Sequence, residues 1–429
     1  MAWEGLMVSN RPQRENRFTR HKKKIALAIT VGAIVFIEFA CYLVVLGFGH
    51  SEIRESYPYN RILSGYTVYR HTPNFDFGPS IGSGPDDPPV VLDRHGFICD
   101  SDVGLSKPEN VVRIFLMGGS TAIGAGQTDG YQSAHKYPWG NYSYRASIAG
   151  QLKAWLVERF PETKFQVITA ASYGRRLHQS HIDYSALISR FSPDVVISCD
   201  GNNDLATLES GTPYSDTEAA ITDYVDLWNN HYRKSLLARS NTYYVLERIS
   251  RRLGVEKLHT STHVSEPSPI AESKSEYMKY RDEFVDNSAR FLQTVKHFKA
   301  TVESDDATFV FCLQPLLHRV GTNKQLSVIE TRLERVMYAH TTAPDKAARR
   351  RLINRYLFDD YLSAQLQQML DDDGGFVDVN AHLLDVEQNL EFYTDYCHLT
   401  EDGNRITAEI LGSHLASQLG PNWSTRREK

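Results

Sequence analysis

The sequence predicts a doubly wound α/β domain with five parallel strands, set behind one transmembrane helix. Three observations carry this expectation. Five short apolar runs stand out from Val111 onward, at Val111–Met117, Phe165–Ala170, Asp194–Cys199, Thr308–Leu313 and Phe376–Val379. Helical periodicities fall between them. A separate apolar run, Ile25 to Phe48, lies near the N-terminus.

The first four strand-like runs are nearly continuous in apolar residues, which suits strands buried on both faces, as in a parallel sheet. Between the first two, Ile148, Leu152, Leu156 and Phe160 recur at helical spacing, and Pro161 follows as a stop. Phe284, Phe291, Val295 and Phe298 mark a helix before the fourth strand. Ile406, Ile410 and Leu415 mark the final helix, with Thr400 placed to cap it. Strands alternating with helices give the α/β class. The gap from the third to the fourth strand is too long for one crossover helix. Residues 205–280 therefore hold an insertion, helical around Tyr224, Leu227 and Trp228 and again from Tyr243 to Leu253. Its stretch from Lys257 to Ser275 is polar and Ser/Thr-rich and reads as mobile. A second insertion, 316–373, reads as mostly helical. The domain proper spans 111–419, with a tail at 420–429.

The run Ile25–Phe48 has the length of a bilayer-spanning helix. Residues 1–24 form a basic tail with Arg11, Arg14, Arg17, Arg20, Lys22, Lys23 and Lys24, whereas Glu52, Arg54 and Glu55 nearly balance on the other side. The positive-inside rule then places the N-terminus in the cytoplasm and the rest outside, periplasmic in a bacterium. The run is too long for a typical signal-peptide core and lacks a small-x-small cleavage site, so an uncleaved anchor is expected. Glu38 interrupts it. At that depth a glutamate pairs with a partner helix, stays protonated or is tolerated without a role, and the sequence leaves these open. Residues 49–110 read as a stalk plus a lead-in that packs on the main domain, with a Gly/Pro-rich loop at Gly78–Pro89.

A chain of 429 residues with 41% hydrophobic and 23% charged residues is ordinary for a globular protein. The net charge of -5 gives no reason to expect nucleic-acid binding. Five cysteines without a C-x-x-C are too few for a disulfide scaffold and do not make a zinc site. Cys199 and Cys312 read as buried thiols. No cofactor and no metal are expected.

Ligands of open parallel α/β sheets bind beyond the carboxyl ends of the strands. The residues with chemistry cluster there. Ser120 follows the first strand in Gly118-Gly119-Ser120-Thr121, Gly174 the second, Gly201-Asn202-Asn203-Asp204 the third and Gln314-Pro315 the fourth. Asp395 and His398 follow the fifth. A lone Gly-Gly-Ser is most often a loop, and the Asn-Asp and Asp-His elements alone are compatible with turns; their collocation at strand ends is what counts. Asp395 can hold one imidazole nitrogen of His398 and leave the other to take the proton of Ser120, which would attack an acyl carbonyl. The backbone N–H groups of Ser120 and Gly174 and the side-chain amide of Asn203 can serve the oxyanion. Tyr131, His135, Tyr137 and Trp139 are read as packing or lid residues rather than cleft lining, and His178 and His181 as exposed helix residues rather than pocket residues.

These residues resemble the four blocks of the SGNH/GDSL hydrolase superfamily, centred on a Ser, a Gly, an Asn and a His. Asp93-Arg94-His95-Gly96-Phe97 and Gln314-Pro315 further resemble a bacterial membrane-anchored branch. The resemblance spans about Asp93 to Leu419 without the insertions. It implies a three-layer α/β/α flavodoxin-like fold and acyl-ester hydrolysis or transfer. Gly119 departs from the GDS form, where an aspartate stands.

The expected activity is a serine-dependent acyl-ester hydrolase, an esterase acting outside the cytoplasm on an O-acylated carbohydrate or lipid-linked substrate. The alternatives are an O-acetyltransferase of an envelope or exported polysaccharide and a non-catalytic glycan-assembly scaffold. Expected partners are the acyl-ester substrate, with a glycan as one candidate, the membrane through the N-terminal helix, and envelope-assembly proteins.

Overall fold

The computed structural model describes residues 17–47, 61–64, 68–71, 73–81, 89–127, 139–204, 242, 245, 274–317, 319, 324–339, 358, 361–370, 374–383, 386–387 and 390–419. By its internal contacts the chain divides into two compact units. One joins Met1–Ser56 with Trp228–Thr262, and the other joins Tyr57–Leu227 with His263–Lys429.

In the first unit, α1 runs over Arg17–Gly47. Its stretch His21–Val44 has a mean hydropathy of 2.3 in its most apolar window, with no part of that window buried, and is long and apolar enough to cross a membrane. Glu38 has a partner within this unit. Its Oε2 accepts from the backbone N–H of Thr242 at 3.2 Å and from the Thr242 hydroxyl at 2.8 Å. The remaining residues around Tyr243–Leu253, like those around Trp228, lie outside the described residues except for the helical Val245.

The second unit is built on a five-stranded parallel sheet. Its strands are β3 (Val111–Gly118), β6 (Lys164–Ala171), β7 (Val195–Asp200), β8 (Thr308–Leu313) and β9 (Phe376–Asp378), in the order β6-β3-β7-β8-β9. Numbered along the chain this order is 2-1-3-4-5, the flavodoxin-like winding, with its switch point between β3 and β7. Successive side chains of each strand enter opposite layers. Ile114 and Leu116 join Ile197, Cys199, Val310 and Cys312 against α2 (Ile148–Arg159) and α7 (Glu401–Leu419). Phe115 and Met117 join Val196, Phe309 and Phe311 against α3 (Leu177–Ala186) and α4 (Lys274–Ser304). This is the three-layer α/β/α arrangement, and it explains why the strand runs lack polar alternation. Cys199 and Cys312 are buried free thiols within it.

The helix ends follow from local chemistry. Ser147 caps α2 by accepting from the Gly150 N–H, and the helix stops two residues before Pro161. Thr400 caps α7 by accepting from the Gly403 N–H at 3.0 Å. Asp194 falls outside β7, although its apolar run begins there. Its carboxylate is drawn aside by Lys107 at 2.6 Å and by the Arg113 N–H at 2.7 Å. The last strand ends at Asp378, because Val379 already has helical backbone angles. Helix α4 begins at Lys274, so Lys274 and Ser275 are helical rather than part of the expected mobile stretch. In the second insertion, α5 (Val328–Ala339) and α6 (Ala364–Leu370) are helical as expected.

Ahead of the sheet, β1 (Arg61–Ser64) and β2 (Val68–His71) form an antiparallel hairpin. Ile98 then exchanges backbone hydrogen bonds with Thr169 at 3.0 and 2.9 Å, antiparallel to β6. The lead-in thereby covers the free edge of the outermost strand, which an open sheet would otherwise expose to foreign pairing.

One glycine sets the exit of β3. Gly118 has φ +137°, and a Cβ there would stand 2.1 Å from the carbonyl oxygen of Cys199. Gly118→Ala is expected to destabilise the fold by about 2 kcal/mol or more, since backbone strain and a backbone clash act together. Thermal unfolding followed by circular dichroism checks this.

Candidate active site

The turn after β3 puts Ser120 at the carboxyl end of the sheet. Backbone bonds from Ile123 to the Gly119 carbonyl, from Gly124 to that of Thr121 and from Ala125 to that of Ser120 fold it tightly. The hairpin of β4 (Ala125–Gln127) and β5 (Trp139–Asn141) follows. Opposite stands the loop between β9 and α7. His398 Nε2 lies 2.7 Å from Ser120 Oγ, and His398 Nδ1 lies 2.7 Å from Asp395 Oδ2. The structure thus brings together three residues that the sequence spreads over 278 positions. All three are buried, Ser120 with 8% exposure and the other two with 1%. An imidazole whose Nδ1 donates to a carboxylate presents a lone pair on Nε2, which is the acceptor a serine hydroxyl needs to become a nucleophile.

Asp395 is held from two sides. Its Oδ1 accepts from the backbone N–H groups of Cys397 and His398, each at 2.8 Å, while Oδ2 takes the imidazole. Burial works against its charge. The charge and hydrogen bond of His398, with the two backbone donors, outweigh burial and keep the carboxyl below its usual range. The carboxylate therefore stays ionised beside the imidazole.

The oxyanion candidates come from two further strand ends. After β6, the Arg175 N–H donates to the Ser172 carbonyl and closes a four-residue turn, with Gly174 at its third position and φ +67°. That left-handed conformation suits glycine. Gly174 is exposed, so its backbone is open to a ligand. After β7, Asn203 and Asp204 wire this turn in place. Asn203 Nδ2 donates to the Arg175 carbonyl at 2.8 Å, and the Asp204 carboxylate accepts from the first N–H of α3, that of Leu177, at 3.1 Å. Asn203 thus spends one amide proton on the turn and retains a second. Its Nδ2 would lie 2.5 Å from a Cβ at position 119. The glycine that departs from the GDS pattern leaves room for this amide.

Several residues that hold the site escaped the sequence reading. Glu330, fully buried at the start of α5, accepts from the backbone N–H groups of Phe392 at 2.8 Å and Tyr393 at 3.3 Å, and from Lys324 at 2.5 Å. It anchors the segment leading to Asp395. A signal was present. Ser327 and Glu330 form a reciprocal capping box, the Glu330 N–H to Ser327 Oγ at 3.1 Å and the Ser327 N–H to Glu330 Oε2 at 2.9 Å. Asp200, at the end of β7, is buried and accepts from Ser198 at 2.6 Å and Ser180 at 3.3 Å. Burial pushes its carboxyl up to about 6, against the opposing pull of the two hydroxyls and Arg175. Tyr173, next to Gly174, donates to Asn141 at 2.6 Å and packs edge-on with His71 and Phe77, so the lead-in reaches the site as well.

Other expectations are corrected. His178 and His181 are half-buried rather than exposed, because α3 packs against α4. His181 stacks on Phe298 and meets Thr301 Oγ1 at 2.9 Å. Burial, with Arg176 nearby, lowers His178 to about 4. Tyr131, His135 and Tyr137 lie outside the described residues, and Trp139 belongs to β5. Among the described residues, the group able to offer clustered metal ligands is Asp395, Cys397 and His398. Its imidazole nitrogens already face Asp395 and Ser120, so its donors serve the triad geometry.

Two outcomes are expected. Gly119→Ala is expected to drive the Asn203 amide from its place; an amide that serves an oxyanion would then cost about 10²-fold or more in kcat, which steady-state kinetics on an ester reads. For Asp200 the folded carboxyl lies above its unfolded value of about 4, so its contribution to stability is complete below that pH and is lost as the pH rises through about 6. Asp200→Asn is therefore expected to gain melting temperature relative to wild type between about pH 4 and pH 6.5, with no further gain above. Melting curves of both proteins across that range read the difference.

No family model matches the chain, and no curated protein matches it. Solved structures similar to it include an acetylxylan esterase from Geobacillus stearothermophilus, 10% identical over 74% of this chain and 97% of that one, with a TM-score of 0.33. A putative acylhydrolase from Bacteroides fragilis NCTC 9343 is 11% identical over 72% and 88%, with a TM-score of 0.32. A putative GDSL-like lipase from Parabacteroides merdae ATCC 43184 is 10% identical over 72% and 97%, also at 0.32.

Proposed function

We propose that the protein is a serine-dependent acyl-ester hydrolase acting outside the cytoplasm. One observation carries the reading: Ser120 Oγ, His398 Nε2, His398 Nδ1 and Asp395 Oδ2 form a continuous hydrogen-bonded chain with both links at 2.7 Å. In this reading Ser120 Oγ adds to the ester carbonyl as His398 Nε2 takes its proton. Asp395 stabilises the resulting imidazolium. The Ser120 and Gly174 N–H groups and the second Asn203 amide proton receive the oxyanion. His398 returns the proton to the leaving alcohol, and the acyl group stays on Ser120. Water, deprotonated by His398, then releases the acid and restores the serine.

The substrate we infer is an O-acylated carbohydrate or a lipid-linked ester. This rests on the anchored placement expected from Arg11–Lys24 and on the resemblance of the sequence blocks.

Four measurements test the reading. Ser120→Ala is expected to lower kcat on p-nitrophenyl acetate by on the order of 10⁴-fold with folding retained. A serine-directed phosphonate should leave its adduct on Ser120 in mass spectra; an adduct elsewhere removes the assignment. With an activated acetyl donor and sugar acceptors, acetate release that ignores the acceptor supports hydrolysis, and acetylated sugar with little acetate supports transfer. A reporter fused after Lys429 should be active only on the outer side of the membrane; activity in the cytoplasm contradicts the placement.

A further inference from the structure

The loops that carry Ser120 and His398 are joined a second time, one residue away from each. Thr121 Oγ1 donates to the carbonyl oxygen of Cys397 at 2.9 Å. It accepts from Gln314 Nε2, beyond the end of β8, at 2.6 Å. Thr121 and Gln314 are both buried. A threonine hydroxyl has one proton, and an amide nitrogen can only donate. Gln314 therefore leaves the Thr121 proton a single destination, the Cys397 carbonyl.

That carbonyl belongs to the peptide between Cys397 and His398. The other end of the same peptide, the His398 N–H, donates to Asp395 Oδ1 at 2.8 Å. The peptide is planar, so fixing both ends fixes the plane. The imidazole hangs from the Cα at its edge. A rotation of the plane would swing Nε2 away from Ser120.

We propose that Thr121 is a positioning residue that clamps the His398 peptide to the nucleophile turn. The proposal rests on the reading of Ser120, Asp395 and His398 as an acyl-transfer triad. Its purpose follows from the reaction. The Ser120–His398 hydrogen bond needs a proton on Ser120 Oγ or on His398 Nε2. In the acyl-enzyme neither carries one, since the proton has left with the alcohol, and the direct link between the loops is lost when His398 must deprotonate water. The Thr121 bond involves neither reacting atom and persists through the cycle. Its loss should therefore fall on turnover, and on deacylation in particular, rather than on substrate binding.

The experiment compares wild type, Thr121→Val, Thr121→Ser and Gln314→Glu as full-length proteins in detergent. The readouts are kcat and KM on p-nitrophenyl acetate, the pre-steady-state burst, the melting temperature and phosphonate labelling of Ser120. Thr121→Val keeps the shape and removes the hydroxyl. Its kcat is expected to fall about 10- to 100-fold, as for a small misplacement of a reacting group, with KM falling alongside it, kcat/KM held within about threefold and a burst that marks slowed deacylation. Thr121→Ser restores the hydroxyl without the methyl and should recover kcat to within about threefold of wild type. Gln314→Glu covers the case in which the valine variant does not fold. An ionised carboxylate there competes for the Thr121 proton, so its kcat should fall further as the pH rises and the glutamate ionises. Wild-type kcat in Thr121→Val or, where that variant does not fold, in Gln314→Glu overturns the clamp, as does a loss confined to KM or a serine variant as slow as the valine one. Failure of the wild type to hydrolyse ester or to label at Ser120 would instead remove the triad reading on which the clamp rests.

Discussion

A buried carboxylate must be surrounded by donors, and the site is organised around that demand. Asp395 has 1% exposure and would be unstable as an ion without compensation. The two backbone N–H groups that compensate it can reach Oδ1 only if residues 395–398 curl back on themselves. The same curl delivers the imidazole to Oδ2. Satisfying one charge thus sets the loop, the direction of the ring and the nitrogen left for Ser120. Glu330 repeats the device one turn upstream, with its own carboxylate taking the N–H groups of Phe392 and Tyr393 and its charge met by Lys324. Two buried acids shape the segment between β9 and α7.

The sheet supplies the frame on which these loops converge. The order of the strands puts β3 and β7 side by side at the switch point, so Ser120 and Asn203 leave from adjacent strand ends. Gly174 leaves from β6 on the other side of β3. Each candidate group is therefore tied to a different rigid strand. The cross-links between them, from Asn203 to Arg175, Asp204 to Leu177 and Gln314 to Thr121, run from loop to loop along the same edge.

Much of this was legible because it depends on patterns with a short period. Strands buried on both faces announce themselves as apolar runs, and Ser120, Gly174, Asn203, Asp395 and His398 stand just past such runs. What the sequence concealed depends on partners far away in the chain. Gln314 read as part of a motif, yet its contact with Thr121 spans 193 residues and leaves no periodic trace. Glu330 carried a capping-box spacing with Ser327 that the sequence reading passed over, and its hold on Phe392 and Tyr393 left no trace in the sequence. Gly119 looked like a missing aspartate, and only the position of the Asn203 amide explains it. The pairing of Ile98 with Thr169 was hidden in the lead-in because a single antiparallel bridge has no alternation to detect. His178 and His181 read as exposed because their polarity was visible and the packing of α4 was not.

The order of these residues along the chain has a bearing on when the protein can act. Ser120 precedes His398 by 278 residues. At the usual pace of synthesis the chain carries its serine for roughly 15–55 s before the histidine is made. During that interval the turn after β3 has neither a base nor the carbonyl of Cys397 to hold it. A chain cut between β9 and His398 would keep all five strands and lose the imidazole that meets Ser120. The emergence of residues 395–398 is thus the step on which the pairing of Ser120 with an imidazole waits.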